Sequence, residues 1–232
     1  MPSIRAVAVT AALALTAVTA CSGGGSGGGS GEKLPAGADL MKQSSTAMGQ
    51  ITSMGFAIRT DGKPSLLVRS ADGKLLKSGD ATGTLQVVQS GATVEMAFTV
   101  LGDSVYLKGV TGGYRKVPKA LAIALYDPSA ILDPQRGIAP LLAKASGPKA
   151  EAKEKVGGQE AYRVRATLPK DSAAALVPGV TQDLTGLVWL GVTDHRLLKV
   201  KADLPPAADG GKGTVTVTFT DFNGNFKITA PA

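Results

Sequence analysis

The chain of 232 residues contains one cysteine, one histidine and one tryptophan, and it is thin in charge and rings, with 19% charged and 4% aromatic residues. A single Cys excludes a disulfide within the chain, a Cys-rich zinc site and a redox pair. A single His excludes any centre that needs two imidazoles. The sparse rings and charges argue against a nucleic-acid module, which gathers Lys and Arg beside stacking aromatics. What the chain does have is apolar content, 44% of residues, enough to bury a core and too much for a disordered chain. Its balance is basic, with 25 Lys+Arg against 18 Asp+Glu for a formal charge of +7.

Residues 1–20 carry one charged side chain, Arg5, followed by the apolar stretch Ala6 to Ala20. That stretch is shorter than the roughly 20 residues a membrane-spanning helix needs and fits a secretory signal peptide. It ends in Val18-Thr19-Ala20-Cys21, which resembles the lipobox of bacterial lipoproteins. The resemblance implies cleavage before Cys21, a diacylglycerol on its thiol, and a membrane anchor on the extracytoplasmic face. Two acyl chains hold a protein stably where one does so only marginally. Ordinary secretion with a free thiol is the alternative. Residues 22–31 read SGGGSGGGSG, a coil with no side chains to bury. It resembles engineered linkers, and it also stands where an anchored domain needs a tether. The expected organisation is signal peptide 1–20, lipidated Cys and tether 21–33, and one domain 34–232.

Within the domain, Leu34 to Ser53 reads as an amphipathic helix with Asp39 a candidate N-cap and Leu40, Ala47, Met48 and Ile51 along one stripe. The period then becomes two. Phe56 and Ile58 precede an Asp61-Gly62 turn, and Ser65 to Ser70 ends at an expected Asp72-Gly73 turn. Gly83 to Gln89, Ala92 to Leu101 and Ser104 to Gly109 continue a meander. Asp127-Pro128 and Asp133-Pro134 each set a capping side chain before a proline, the pattern that opens a helix, and Pro140 predicts a kink or a late start in the second. Strands return over Ala150 to Val156, Glu160 to Leu168, Leu184 to Val192, Leu197 to Leu204, Thr214 to Asp221 and Asn225 to Ala230, with a short helix over Lys170 to Val177. The sum is an α+β chain of ten or eleven antiparallel strands, a sheet apolar on one face and curling into an open barrel.

Tyr126-Asp127-Pro128-Ser129-Ala130-Ile131-Leu132-Asp133-Pro134-Gln135-Arg136-Gly137, running on through Leu141-Leu142-Ala143 to Lys149-Ala150-Glu151 and the Gly157-Gly158 hairpin, resembles the central signature of the actinobacterial LppX/LprA/LprF/LprG lipoproteins. The order of features agrees over essentially the whole mature domain, and the LprG/LprA branch is the most similar. Tyr114 and Phe222 stand where many members carry Trp. The resemblance implies a curved half-barrel similar to the LolA/LolB carriers, with helices over its concave side and a hydrophobic cavity. It further implies a non-enzymatic carrier of acylated envelope lipids (triacylglycerol, phosphatidylinositol mannoside or lipoglycan type), acting as a monomer with a major-facilitator efflux transporter as partner. No cofactor, metal or nucleic acid enters that role.

A carrier for acyl chains needs apolar surface, since each buried CH₂ contributes about 0.8 kcal/mol. The candidate lining is Leu85, Val87, Met96, Phe98, Leu121, Ile123, Leu125, Ile131, Leu132, Ile138, Leu141 and Leu142, with Trp189 near a mouth or wall. Each of these residues would equally well fill a solid core. In that case the domain is a docking module with the same fold. A lipid hydrolase is a third reading without a GxSxG or a second His to support it. His195 falls in a turn tip, and Asp127 and Asp133 read as caps. The cluster Lys149, Lys153, Lys155, Arg163 and Arg165, diluted by Glu151 and Glu154, reads as a solvated outer face.

Overall fold

The structure is a computed structural model that describes residues 33–62, 68–89, 91–123, 128–176, 180–204 and 211–232. The signal peptide, Cys21 and the Gly/Ser tract lie outside these residues, as do Leu125 and Asp127. The compact unit runs from Leu34 to Ala232 and holds every described strand and all three apolar clusters set out below.

Eleven strands are described, in two meanders. The first comprises Ser53–Gly62 (β1), Val68–Leu76 (β2), Ala81–Gln89 (β3), Ala92–Leu101 (β4), Ser104–Lys108 (β5) and Arg115–Pro118 (β6). The second comprises Ser146–Val156 (β7), Gln159–Leu168 (β8), Leu184–Gly191 (β9), Leu197–Leu204 (β10) and Gly213–Thr220 (β11). They form one antiparallel sheet in the order β6-β5-β4-β3-β2-β1-β11-β10-β9-β8-β7. The first and last strands therefore meet in the middle, from Gly55 opposite Thr220 to Gly62 opposite Gly213. The two edges, β6 and β7, are consecutive along the chain. Helix Lys119–Ile123 (α2), the 3-10 helix Pro128–Leu132 and helix Ile138–Lys144 (α3) lie between them in sequence, while Gly37–Gly49 (α1) precedes the sheet and Lys170–Leu176 (α4) follows β8.

Directly paired residues point to the same face of a sheet, so the register assigns the faces. One continuous face carries Phe219, Phe56, Gly73, Gly83, Phe98 and Leu107 across one row, and Met54, Leu75, Ala81, Val100, Val105 and Val117 across the next. Leu40, Met41 and Met48 of α1 and Ile138 and Leu142 of α3 pack on this face, forming the main core with Met54, Leu75, Val164, Val188, Leu190 and Leu197. The expected α+β half-barrel with helices on one face is the fold observed.

Several local expectations are corrected. Helix α1 begins at Gly37 rather than Leu34, with Ala36 at the N-cap, and Asp39 lies in its first turn without capping it. A side chain at Gly37 would run into the Pro148 carbonyl, so the helix start is fixed by a tertiary contact. Asp72-Gly73 is no turn but the middle of β2, opposite Thr84 and Gly83. Gly73 and Gly83 face each other so closely that a Cβ on either would meet the other strand's backbone, which explains both glycines. The chain reverses at Lys77–Gly79 instead, where Gly79 N–H donates to the Leu76 carbonyl at 2.8 Å. Asn225 to Ala230 pairs with no strand, and β6 went unforeseen because four residues carry too little alternation. Helix α3 does start late. Pro140 is its third residue, where a missing N–H leaves no intrahelical bond unmade. Asp133 accepts hydrogen bonds from the Gln135 and Arg136 N–H groups at 2.7 and 3.0 Å and caps the turn before α3 rather than α3 itself.

Candidate functional site

Along the helix-bearing face, cover is uneven. In the second meander Val164, Val188, Leu190 and Leu197 are at most 1% exposed. In the first, Leu75, Ala81, Val100 and Val105 are also buried, at 0 to 5%. Farther along β3 and β4 the same face continues through Leu85 opposite Met96 and Val87 opposite Val94, and there burial stops halfway. Phe98 and Leu107 still pack against the main core, whereas among the described residues Leu85, Val87 and Met96 join none of the three clusters. An apolar stripe on a core-facing surface thus lies only half covered. Leaving it so forgoes about 25 cal/mol for each Å² of apolar surface still in contact with water.

The expected lining residues separate on this basis. Leu85, Val87, Met96 and Phe98 do lie on one face of β3 and β4. Leu132, Ile138 and Leu142 are buried in the main core with Ile131 packed against it, and Leu141 is buried with Leu168, Ala173, Val180 and Leu184 in a second cluster. These residues fill space. Leu121 is 67% exposed on α2 and, among the described residues, joins none of the three clusters. The side chain of Ile123 and the whole of Leu125 are outside the described residues. Val94 and Leu107 belong to the half-covered face and were missing from the expected set. Their alternation with Met96 and Val105 was the signal for them.

Trp189 is on the opposite face. It pairs with Arg163 and Lys199, and it forms a small third cluster with Ala161 and Leu198, against which Phe222 packs. Its indole N–H donates to Glu154, and the Lys199 ammonium lies 4.4 Å from the ring centroid. The strand reads buried on both faces from Val188 to Gly191, so alternation gave no side to the ring. Around it the expected solvated face is an ion-pair ladder: Arg165 to Glu151 at 2.7 Å, Arg163 to Glu151 at 3.4 Å and to Glu154 at 3.2 Å; Lys153 pairs with Glu160 at 3.4 Å on the other face, beyond Tyr162. The hydrogen bond from Arg165, followed by the charges of Arg165 and Arg163, holds the Glu151 carboxyl below the ordinary glutamate range. Asp133 is likewise lowered, first by the Gln135 backbone N–H.

His195 occupies a left-handed turn at φ 55° after β9. Its Nδ1 has no hydrogen-bond partner, and the residue borders an open groove along α1 with Asp39, Lys42, Gln43, Thr46 and Ala47. Among the described residues no group of three His, Cys, Asp or Glu side chains converges as metal ligands would.

The model of one protein family, described as LppX_LprAFG lipoprotein, matches residues 36–228. A Mycolicibacterium hassiacum protein named lipoarabinomannan carrier protein LprG is 30% identical over 236 residues, covering 98% of each chain. A protein of the same name from Mycolicibacterium smegmatis is 29% identical over 204 residues, covering 86% of this chain and 84% of the relative. Among solved structures, LprF from Mycobacterium bovis aligns with a TM-score of 0.74 at 21% identity, over 84% of this chain and 97% of its own. LppX from Mycobacterium tuberculosis aligns with a TM-score of 0.61 at 22% identity, over 83% and 97%. At these identities the two structures speak to the fold alone.

Proposed function

Because the chain belongs to the LppX_LprAFG lipoprotein family, we propose that it is a carrier of acylated envelope lipids, anchored through Cys21 on the extracytoplasmic side of the cell membrane. The relatives named lipoarabinomannan carriers favour a lipoglycan or a phosphatidylinositol-based glycolipid as cargo, with triacylglycerol as the simpler member of the same chemistry. The observation that carries the reading is the half-covered stripe Leu85, Val87, Val94, Met96 and Phe98 on the face that elsewhere forms the core. Acyl chains laid against it would complete that core. Each methylene withdrawn from water contributes about 0.8 kcal/mol, so long chains bind by length rather than by polar contacts.

The rest of the chain fits the same work. Across β7 and β8 the opposite face is ionic, which suits a loaded domain in water, and in this proposal the Gly/Ser-rich sequence between Cys21 and Leu34 serves as the tether. The proposal includes a monomeric carrier that hands cargo onward toward the outer envelope, with an efflux transporter of the major-facilitator type as its partner. No bond is made or broken in this cycle, and no residue is asked to act as an acid, base or nucleophile.

Native mass spectrometry of the unit Leu34–Ala232, secreted without its anchor and followed by lipid extraction, tests the reading. Stoichiometric acyl lipid is expected, and Leu85→Trp should displace it while the thermal unfolding midpoint is kept. Protein that stays lipid-free when offered envelope extracts would overturn the carrier and leave a docking module.

A further inference from the structure

The edge of the sheet at β6 gathers exposed apolar side chains and cations on one hairpin. Val110, 78% exposed, and Leu121, 67% exposed, are the two large apolar side chains left open to water among the described residues. Val110 lies in the loop between β5 and β6, and Leu121 lies on α2 directly after β6. The two close opposite ends of a hairpin about 15 Å long. Between Ser104 and Ile123 the chain carries Lys108, Arg115, Lys116 and Lys119 and no Asp or Glu.

These cations stand together without a carboxylate among them. On β7 and β8, by contrast, Lys153, Arg163 and Arg165 are interleaved with Glu151, Glu154 and Glu160 and pair with them. Among the described residues no carboxylate pairs with any of the four at the β6 edge; instead Lys108 lies 5.6 Å from the Tyr114 ring and Lys116 lies 5.9 Å from the Tyr106 ring. Lys and Pro on an edge strand also discourage pairing with another sheet, which would account for Lys116 and Pro118. It does not account for an exposed valine and leucine at the two ends. Exposed apolar side chains flanked by unpaired cations and by rings suited to an interfacial layer complement an anionic bilayer, in both charge and polarity.

We propose that the β5–β6 hairpin with α2 is the surface on which the domain lies against anionic lipid. Val110 and Leu121 enter the interfacial layer, and Lys108, Arg115, Lys116 and Lys119 meet lipid phosphates. Two apolar contacts at the ends of a hairpin define a line, so the domain is oriented as well as held. That line adjoins Leu107 and Phe98, the near end of the half-covered stripe. The contact stands on this surface alone; only its use, as the place where acyl chains pass between bilayer and stripe, rests on the carrier reading.

Co-sedimentation of the unit Leu34–Ala232 with vesicles tests it, comparing phosphatidylcholine alone with phosphatidylcholine mixed with phosphatidylinositol. Binding to the mixed vesicles alone is expected, weakened by added salt. Each cation removed should cost about fivefold in partition, so Lys108→Gln with Lys116→Gln should cost more than tenfold, roughly. Val110→Ser and Leu121→Ser should each lower binding severalfold, while Lys155→Gln with Lys201→Gln, on exposed positions elsewhere, should lower it less than either. Absence of binding, equal binding to both vesicle types, or an equal loss from Lys155→Gln with Lys201→Gln would overturn the proposal. Co-purified lipid in the Lys108→Gln/Lys116→Gln protein is read separately: its retention with loss of vesicle binding isolates this surface from the carrier function.

Discussion

On β8, β9 and the start of β10, Val164, Val188, Leu190 and Leu197 are sealed in the main core with α1 and α3, while Val200 and Val217, in the row that leads toward the first meander, are half-buried against it. Between β2 and β5 the same face, with the same kinds of side chain, is sealed at one end of its strands and half open at the other. Since composition is alike, the difference lies in what covers each half: α1 and α3 contact β7, β8 and β9, while Leu85, Val87 and Met96 at the far end of the β3–β4 hairpin pack into none of the apolar clusters among the described residues. One half of the sheet is a core, and the other is a surface with the chemistry of a core.

The largest expected effect separates the halves directly. Leu190→Ala should cost about 2–5 kcal/mol in urea unfolding, because a fully buried leucine leaves a cavity. Leu85→Ala in lipid-free protein should cost less than about 1.5 kcal/mol, since part of that side chain already meets water. Equal losses would erase the comparison. Gly83→Ala comes next, at about 1–3 kcal/mol, since the added methyl must push β2 and β3 apart where their backbones approach. A spectroscopic test sharpens the contrast of faces: acyl chains carrying bromine, bound to the half-covered stripe, should leave Trp189 fluorescence almost unchanged. Strong quenching would put cargo on the wrong side of the sheet. The smallest effect concerns the ionic face. Glu151 has a lowered carboxyl pKa in the folded chain, so its stabilisation is present above the ordinary glutamate range and fades as pH falls through the lowered value. Glu151→Gln should therefore be slightly less stable near neutral pH and converge with the parent in acid, as followed by thermal unfolding across pH.

Strands with strict alternation were legible in the sequence to the residue: Ala92–Leu101 and Leu197–Leu204 have the bounds that their patterns predict. So was the helical interruption between the meanders, with the late start of α3 at Ile138 that Pro140 predicts. What alternation cannot express is contact between distant segments. Gly73 looks like a turn because its partner, Gly83, is invisible from its own neighbourhood, and Gly37 opens a helix because Pro148 is there. The candidate site was half legible for the same reason. Leu85, Val87, Met96 and Phe98 share a face by period alone, but whether Leu141 or Leu142 is open or buried depends on which helix lies over it. Trp189 was misplaced because a strand buried on both faces has no polar side to mark its orientation.

The central pairing of β1 with β11 also bears on when the domain can exist. Thr52 N–H reaches Asn223 Oδ1 at 2.9 Å across 171 positions of sequence, and the strands beside this bond join the two meanders. A chain that emerges N-terminus first, from a ribosome or through a membrane channel, has β1 in hand long before β11 arrives. Until then the first meander holds its apolar stripe exposed along a free central edge, and closure waits on the last segment made. The order of synthesis thus makes the final eight-residue strand, Gly213–Thr220, the step that commits the fold. A nascent chain stalled before it should be captured by holding chaperones, and release should coincide with its appearance.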